Sequence, residues 1–320
     1  MASSPARTLR LGTRGSALAL WQADHVADRL RAAGHDPERV VFTTKGDRIL
    51  DVPLAKIGDK GLFTQELDTA LLDGRIDLAV HSLKDLPTTL PTGLALAAVT
   101  ERADPRDAFC PHPDYAGGFD DLPEGATLAT SSLRRRAQLL ARRPDLRIAD
   151  VRGNVPTRLR KLDRSGDLVS GGWHGIILAA AGLDRLGLGH RIGERLGGEQ
   201  MISAVGQGAL GIVARADRAD VMALLDGVLT DPDTRAATAA ERAFMRALEG
   251  GCQVPIAAHA TVQAGRLHLS CGVASLNGQI LLQTTAEGAA EEAEAVGRRA
   301  AAALLDRGAA DVLAAVRAAV

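Results

Sequence analysis

The sequence predicts an α/β region followed by a small α+β domain. Over the first two-thirds of the chain, strand-like runs alternate with helix-like runs, which is typical of mostly parallel sheets covered by helices on both faces. The last third carries three strand-like runs in succession. They are separated by Ala264-Gly265 and Asn277-Gly278, and Asn-Gly is a strong hairpin signal. With 320 residues, the chain has room for two or three domains.

Each predicted helix of the α/β region has a residue that suits its beginning or its end. Ser16 suits the N-cap of the first helix and Gly34 its end, while Gly74 ends a second helix. Ser132 suits the beginning of a further helix, and Pro156 suits the first turn of the next. The strands predicted between these helices cover 9–12, 76–80, 127–129, 146–151 and 176–179.

In the last third, a helix is predicted over 233–249, before Gly250-Gly251. The three strands that follow are predicted over 256–262, 267–274 and 279–285. An Ala-Glu-rich run over 287–303 predicts a further helix. This order predicts a separate α+β domain with a three-stranded antiparallel sheet.

Arginine collects at three short turns, each between a strand-like run and a helix-like run. The turns cover 13–16, 130–136 and 152–154. A helix N-terminus offers free N–H groups and a positive dipole end, and a guanidinium fits a carboxylate or phosphate. Because such turns meet at the carboxyl ends of parallel strands, they predict a cavity for a ligand with many negative groups. A single arginine of this kind would more often be a solvated surface charge.

Composition excludes several classes of function. Only 2% of the residues are aromatic and the isoelectric point is about 6.7, which argues against nucleic acid as a partner. No apolar signal region or membrane-length apolar run is present, so no membrane partner and a cytoplasmic location are expected. Cys110, Cys252 and Cys271 form no CxxC pair and indicate reduced thiols, and the histidines have no metal-ligand spacing, so no metal is expected.

Two residues stand out as candidates for chemistry. Cys252 lies in a glycine-containing loop between a helix and a strand, where its sulfur would be accessible, whereas Cys110 and Cys271 lie in or beside apolar runs and fit inert core residues. Asp85 follows a buried strand and could be a helix cap. Among arginines it would stay ionised and could pair with a cationic intermediate or with N–H donors of a substrate.

Eight segments of the sequence carry a resemblance to a known family. One is His81-Ser82-Leu83-Lys84-Asp85-Leu86-Pro87, and another is Glu249-Gly250-Gly251-Cys252-Gln253-Val254-Pro255. The others cover 13–16 with 20–23, 53–63, 104–109, 130–135, 152–155 and 204–208. In these segments, which occur in family order over nearly the whole chain, the sequence closely resembles the porphobilinogen deaminase family, whose members are also called hydroxymethylbilane synthases.

The resemblance implies three domains, of which two are doubly wound lobes like periplasmic binding proteins. Lobe 1 would comprise 1–103 and 209–228, lobe 2 would comprise 104–208, and the cofactor-attachment domain 229–320. It also implies a monomeric transferase that condenses four porphobilinogen molecules into hydroxymethylbilane with release of ammonia. The product would pass to uroporphyrinogen-III synthase, within heme biosynthesis.

The resemblance further implies a covalent dipyrromethane cofactor and assigns residues to it. Cys252 would hold the cofactor through a thioether, and Asp85 would be the catalytic acid that stabilises an azafulvenium-like cation. The residues implied to bind the cofactor are Lys84, Ser132, Arg134, Arg135, Arg152 and Gln207. Those implied to bind substrate are Arg14, Ser16, Arg158 and Arg185. Lys56 and Lys60 would belong to a mobile segment near the entrance.

Two alternatives from other classes remain. A non-catalytic, cytosolic anion-binding protein with two lobes would share the arginine turns, but it would not need Cys252 in a glycine loop. A hydrolase with Cys252 as nucleophile would need a nearby histidine, and His259 lies in a strand-like run.

Overall fold

The computed structural model describes residues 8–44, 46, 64–248 and 254–319. Lys56, Lys60 and Cys252 therefore lie outside the described residues. The described strands are β1 (Thr8–Arg14), β2 (Asp36–Phe42), β3 (Leu78–Ser82), β4 (Leu94–Val99), β5 (Asp107–Pro111), β6 (Thr127–Ala129), β7 (Arg147–Ala149), β8 (Gly175–Ala179), β9 (Glu194–Leu196), β10 (Leu210–Arg215), β11 (Ile256–Gln263), β12 (Arg266–Ala274) and β13 (Leu281–Ala289). The described α-helices are α1 (Ala17–Ala32), α2 (Gln65–Leu72), α3 (Leu133–Arg142), α4 (Val155–Leu162), α5 (Ala180–Arg185), α6 (Ala219–Leu229), α7 (Pro232–Ala247), α8 (Ala293–Leu305) and α9 (Ala309–Ala319).

Two five-stranded sheets have the same internal arrangement. The first sheet has the order β2-β1-β3-β10-β4 and the second β7-β6-β8-β5-β9. In each, the first two ladders are parallel and the last two antiparallel. The α/β class is confirmed, and four of the five strands in each sheet run in the same direction, as expected for mostly parallel sheets. The exceptions are β5 and β10, which each enter one sheet from the other and run against both of their neighbours.

The third sheet, β11-β12-β13, is antiparallel throughout, as predicted. The turn between β11 and β12 has positive φ angles of 49° at Ala264 and 74° at Gly265, as a tight hairpin requires. The helix predicted over 287–303 is wrong at its start. Glu287 pairs with His268 in the ladder, β13 continues to Ala289, and the helix α8 begins only at Ala293.

Local capping explains where the helices near the sheet edges begin. The Ser16 hydroxyl accepts a hydrogen bond from the Ala19 N–H at 3.3 Å at the start of α1. Ser132 caps α3 and Asn154 caps α4 in the same way, through the N–H groups three residues later. Each such cap contributes about 1 kcal/mol to stability. The N-cap predicted at Ser16 is confirmed, and the helix predicted from about Ser132 begins there.

A buried carboxylate joins the segments that run between the sheets. Glu241 on α7 is fully buried and accepts hydrogen bonds from Arg102 at 2.6 Å, from the Gly206 N–H at 2.7 Å and from the Ala260 N–H at 2.7 Å. Arg102 lies between β4 and β5, Gly206 between β9 and β10, and Ala260 on β11. Glu241 therefore links both segments that run between the first and second sheets to the third sheet.

Candidate active site

A small cavity lies between the first and second sheets, where turns after their strands come together. It measures about 90 Å³. Basic and polar side chains supply much of its wall, and most of these belong to the predicted set. They are Lys84, Arg135, Arg158, Arg185, Gln207, Gln22 and Ser82. The structure thus brings together residues that are up to 185 positions apart in the sequence, from Gln22 to Gln207.

Each basic side chain reaches the cavity from a turn or a helix end. Lys84 belongs to the short 3₁₀ turn Leu83–Asp85 that directly follows β3. Arg135 and Arg158 lie in the first turns of α3 and α4, and Arg185 is the last residue of α5. The N-termini of α3 and α4 add their positive dipole ends to this edge of the second sheet.

Lys84 lines the cavity from the side of the first sheet and carries a positive charge. Its ammonium group donates a hydrogen bond to the Gln207 Oε1 at 3.3 Å. Burial lowers the pKa of Lys84 to about 8, although the negative charges of Asp85 and Asp107 oppose the shift. At pH 7 the group is still protonated in most molecules, so it can attract a carboxylate.

A buried ion cluster supports the cavity from the side of the second sheet. Asp107 is fully buried and accepts hydrogen bonds from Arg134 at 2.7 Å, Arg135 at 2.9 Å and Gln207 at 3.0 Å. Burial alone would raise the pKa of Asp107, but the two guanidinium groups outweigh it and hold the pKa well below its usual range. Arg134 also donates to the Ile202 carbonyl oxygen at 2.7 Å and does not line the cavity.

Two further arginines face the cavity without a carboxylate partner among the described residues. Arg158 donates to the Gly153 carbonyl oxygen at 2.7 Å, and Arg185 donates to the Gly208 carbonyl oxygen at 2.6 Å. Burial lowers the pKa of each to about 10, so both remain charged at neutral pH. A half-buried cation that makes no ion pair favours an anionic partner, which a bound ligand would supply.

Asp85 lies at the edge of this basic cluster and is exposed. Its charge acts on both Lys84 and Arg158, raising the pKa of each against the effect of burial. A carboxyl group thus lies beside a cavity whose walls carry lysine and arginine side chains. This arrangement can bind carboxylates and at the same time stabilise a positive charge next to them.

The remaining predicted residues lie near the cavity or support it. Arg14 ends β1 and lies near His81, whose pKa is lowered to about 4 by burial and by the Arg14 charge. Arg152 lies near Arg158 and lowers its pKa. Ser16 and Ser132 serve as helix caps. The binding roles of these residues stay predictions.

Sequence reasoning did not select three residues that the structure places in or beside this site. Gln22 is buried on α1 and its carboxamide donates to the Ser82 hydroxyl at 2.8 Å, so both line the wall beside Lys84. Asp107 begins β5 directly after a polar segment. A signal was present for Gln22, which is a polar side chain within an apolar run.

Comparison with known proteins decides the family. A family model described as "Porphobilinogen deaminase, dipyromethane cofactor binding domain" matches residues 9–223, and one described as "Porphobilinogen deaminase, C-terminal domain" matches 234–306. The chain belongs to the porphobilinogen deaminase family. A porphobilinogen deaminase of Chromobacterium violaceum is 53% identical over 96% of this chain and 97% of that protein. One of Desulforudis audaxviator is 53% identical over 98% and 99%, and one of Nostoc sp. is 51% identical over 97% and 95%.

Solved structures with a related shape are much more distant in sequence. The methionine-binding protein MetQ is 14% identical over 69% of this chain and 89% of that chain, with a TM-score of 0.39. A Bordetella pertussis BvgS VFT2 domain is 13% identical over 69% of this chain and 86% of that chain, with a TM-score of 0.41.

Within the described ranges of this chain, no helix combines the length and the apolar content needed to cross a membrane.

Proposed function

We propose that this chain condenses four porphobilinogen molecules head to tail into the linear tetrapyrrole hydroxymethylbilane and releases one ammonia at each addition. The observation that carries the proposal is the cationic cavity beside Asp85. Lys84, Arg158 and Arg185 face it, and the two arginines have no carboxylate partner among the described residues. Porphobilinogen carries an acetate and a propionate, which such a cavity would bind as paired ions.

The same cavity has the donor set of a polycarboxylate site, which suits the carboxylates of a dipyrromethane cofactor. Its walls combine cations with the amide of Gln207, and the buried carboxylate of Asp107 is already held by Arg134 and Arg135. Cys252 would hold the cofactor through a thioether, with Lys84, Ser132, Arg134, Arg135, Arg152 and Gln207 as the residues proposed to bind it. When bound, the cofactor supplies the pyrrole end to which the next unit is joined.

Other residues of the chain would bind the substrate and stabilise the charge that develops in the reaction. Arg14, Ser16, Arg158 and Arg185 would bind the substrate carboxylates, which orients the aminomethyl group. Asp85 would accept hydrogen bonds from pyrrole N–H groups and stabilise the positive charge that develops as ammonia leaves. Lys56 and Lys60 would attract the anionic substrate at the entrance.

The cavity of about 90 Å³ is smaller than the ~300 Å³ at which pockets for small ligands usually begin. A growing chain of pyrroles would therefore need the first and second sheets to move apart. The proposed domains are 1–103 with 209–228, 104–208, and 229–320, and the membership of the three sheets supports this division. We further propose a cytoplasmic monomer whose product passes to uroporphyrinogen-III synthase.

The test is the intact mass of the purified protein before and after brief exposure to porphobilinogen. A mass above the sequence value by one dipyrromethane, which then rises in pyrrole-sized steps, supports the proposal. A Cys252→Ser variant should fold without a covalent pyrrole, and retention of the cofactor would mean that another residue holds it. The bare sequence mass, unchanged by substrate, would favour an anion-binding protein without catalysis.

Asp85 is tested separately. An Asp85→Asn variant keeps the size of the side chain but removes its charge, so turnover should fall at least about 100-fold, in the range of a lost electrostatic catalyst. Its unfolding temperature should stay near that of the wild type, because the residue is exposed. Near-normal turnover would remove Asp85 from the mechanism.

A further inference from the structure

Arg185 stands at the contact between the two five-stranded sheets and their helices. It ends α5, beside the second sheet, and its guanidinium carbon lies 5.4 Å from the ring centre of Trp21 on α1, beside the first sheet. Trp21 is itself stacked on His25, one helical turn later, with ring centres 5.2 Å apart and planes 7° apart. Trp21 is 36% exposed, although large aromatic side chains usually bury more of their surface.

The stack restricts where the N–H groups of Arg185 can point. A guanidinium over an aromatic ring presents its donors around the edge of its own plane. One of these donors is used by the Gly208 carbonyl oxygen. A guanidinium has five N–H donors, and Arg185 has no carboxylate partner among the described residues although it lines the cavity.

We propose that Trp21 is a positioning residue, which holds the Arg185 guanidinium across the cleft so that its remaining donors bind one carboxylate of the pyrrole substrate. The inference rests on the proposed function, since it assigns the ligand of the same cavity. His25 stacks on the Trp21 indole and helps to fix its orientation. Trp21 contributes no group to the reaction and acts only through the orientation of Arg185.

A second cation–π pair provides a matched control. The Arg75 guanidinium lies 5.6 Å from the ring centre of Phe42, and neither residue lines the cavity. Arg75→Leu removes the same type of contact at an exposed site. It should leave the KM and kcat for porphobilinogen unchanged.

The main experiment is a double-mutant cycle on KM. Loss of one cation–π contact corresponds to about a fivefold change in affinity, so Trp21→Leu should raise KM about fivefold while kcat changes little. Trp21→Phe retains an aromatic face and should keep KM within about twofold of the wild type. In an Arg185→Leu background, Trp21→Leu should have no further effect on KM.

A spectroscopic readout tests the same contact independently of KM. The chain has two tryptophans, so Trp21 is the sole indole in a Trp173→Phe variant. The Arg185 charge attracts iodide to Trp21, so porphobilinogen should reduce iodide quenching as its carboxylate occupies Arg185. In Trp173→Phe combined with Arg185→Leu, porphobilinogen should leave iodide quenching unchanged.

Three outcomes would overturn the inference. The first is an unchanged KM in Trp21→Leu. The second is that the effects of Trp21→Leu and Arg185→Leu on KM multiply independently. The third is that porphobilinogen does not change iodide quenching of Trp21. If the wild-type protein turns over porphobilinogen, such results reject the role of Trp21 and leave the proposed function standing. If the wild-type protein shows neither turnover nor a pyrrole adduct, the proposed function itself fails.

Discussion

Replacement of Asp107 by asparagine should destabilise the protein strongly, because it would leave two buried arginines without a counter-charge. Asp107 is fully buried, and the side chains of Arg134 and Arg135 are only 6% and 7% exposed. Removing one partner of a buried ion cluster typically costs about 3–5 kcal/mol. At about 2–4 °C per kcal/mol for a domain of this size, the unfolding midpoint should fall by about 6 °C or more.

The assay is thermal unfolding followed by circular dichroism, with Asp163→Asn as control. Asp163 pairs with Arg191 beside the same sheet, but the two side chains are 35% and 23% exposed. Solvent can replace this pair, so the control should shift the midpoint only slightly. Equal shifts in Asp107→Asn and Asp163→Asn would refute the claim that burial makes the Asp107 cluster important.

The pH dependence gives a second check on Asp107. Its pKa in the folded protein lies below the value of an unfolded carboxyl group, about 3.9. The charged form therefore stabilises the fold fully above about pH 5, and this contribution is lost as pH falls from there towards the folded pKa. The difference in stability between wild type and Asp107→Asn should be constant from pH 7 to 5 and shrink below about pH 4.

Two further predictions concern the residues that hold the site together. Glu241→Gln should lower the free energy of unfolding by about 3 kcal/mol or more, since a buried arginine loses its carboxylate, while Glu294→Gln in an exposed helical pair should change it little; unfolding in urea measures both. Because burial lowers the pKa of Lys84 to about 8, its charge is lost as pH rises through that value. The KM for porphobilinogen should therefore rise between pH 7 and 9 in the wild type, and Lys84→Met should have a raised KM without this pH dependence.

Features set by nearby residues could be predicted from the sequence. Ser16 and Ser132 cap their helices through N–H groups three residues away, and Ala264-Gly265 closes its hairpin by backbone conformation alone. The strands β2, β4, β5, β9 and β10 were not predicted. In β2, which lies at the edge of the first sheet, only Pro37 is buried. Such an edge strand has no alternating pattern of buried side chains to reveal it.

The sequence predicted which residues belong to the site. It did not predict which of them line the cavity and which support it from behind. Arg134 and Arg135 are neighbours in the sequence, yet only Arg135 lines the cavity. Both donate to Asp107, and they differ in their second partner: Arg134 donates to the Ile202 carbonyl oxygen, 68 positions away, and Arg135 to the Ile177 carbonyl oxygen, 42 positions away. Partners at such separations are fixed by the strand order β8-β5-β9 and cannot be inferred from local patterns.

Gln207 connects the two sides of the cavity at the point where the chain passes from the second sheet to the first. Its carboxamide donates to Asp107 at 3.0 Å and accepts from Lys84 at 3.3 Å, while its backbone carbonyl accepts from Arg102 at 2.8 Å. Arg102 is in turn held by Glu241 on α7, so the position of Lys84 depends on all three sheets. An amide is suited to this point because it donates to a carboxylate and accepts from an ammonium at once. A glutamate could not donate to Asp107, and an apolar side chain could satisfy neither Asp107 nor Lys84.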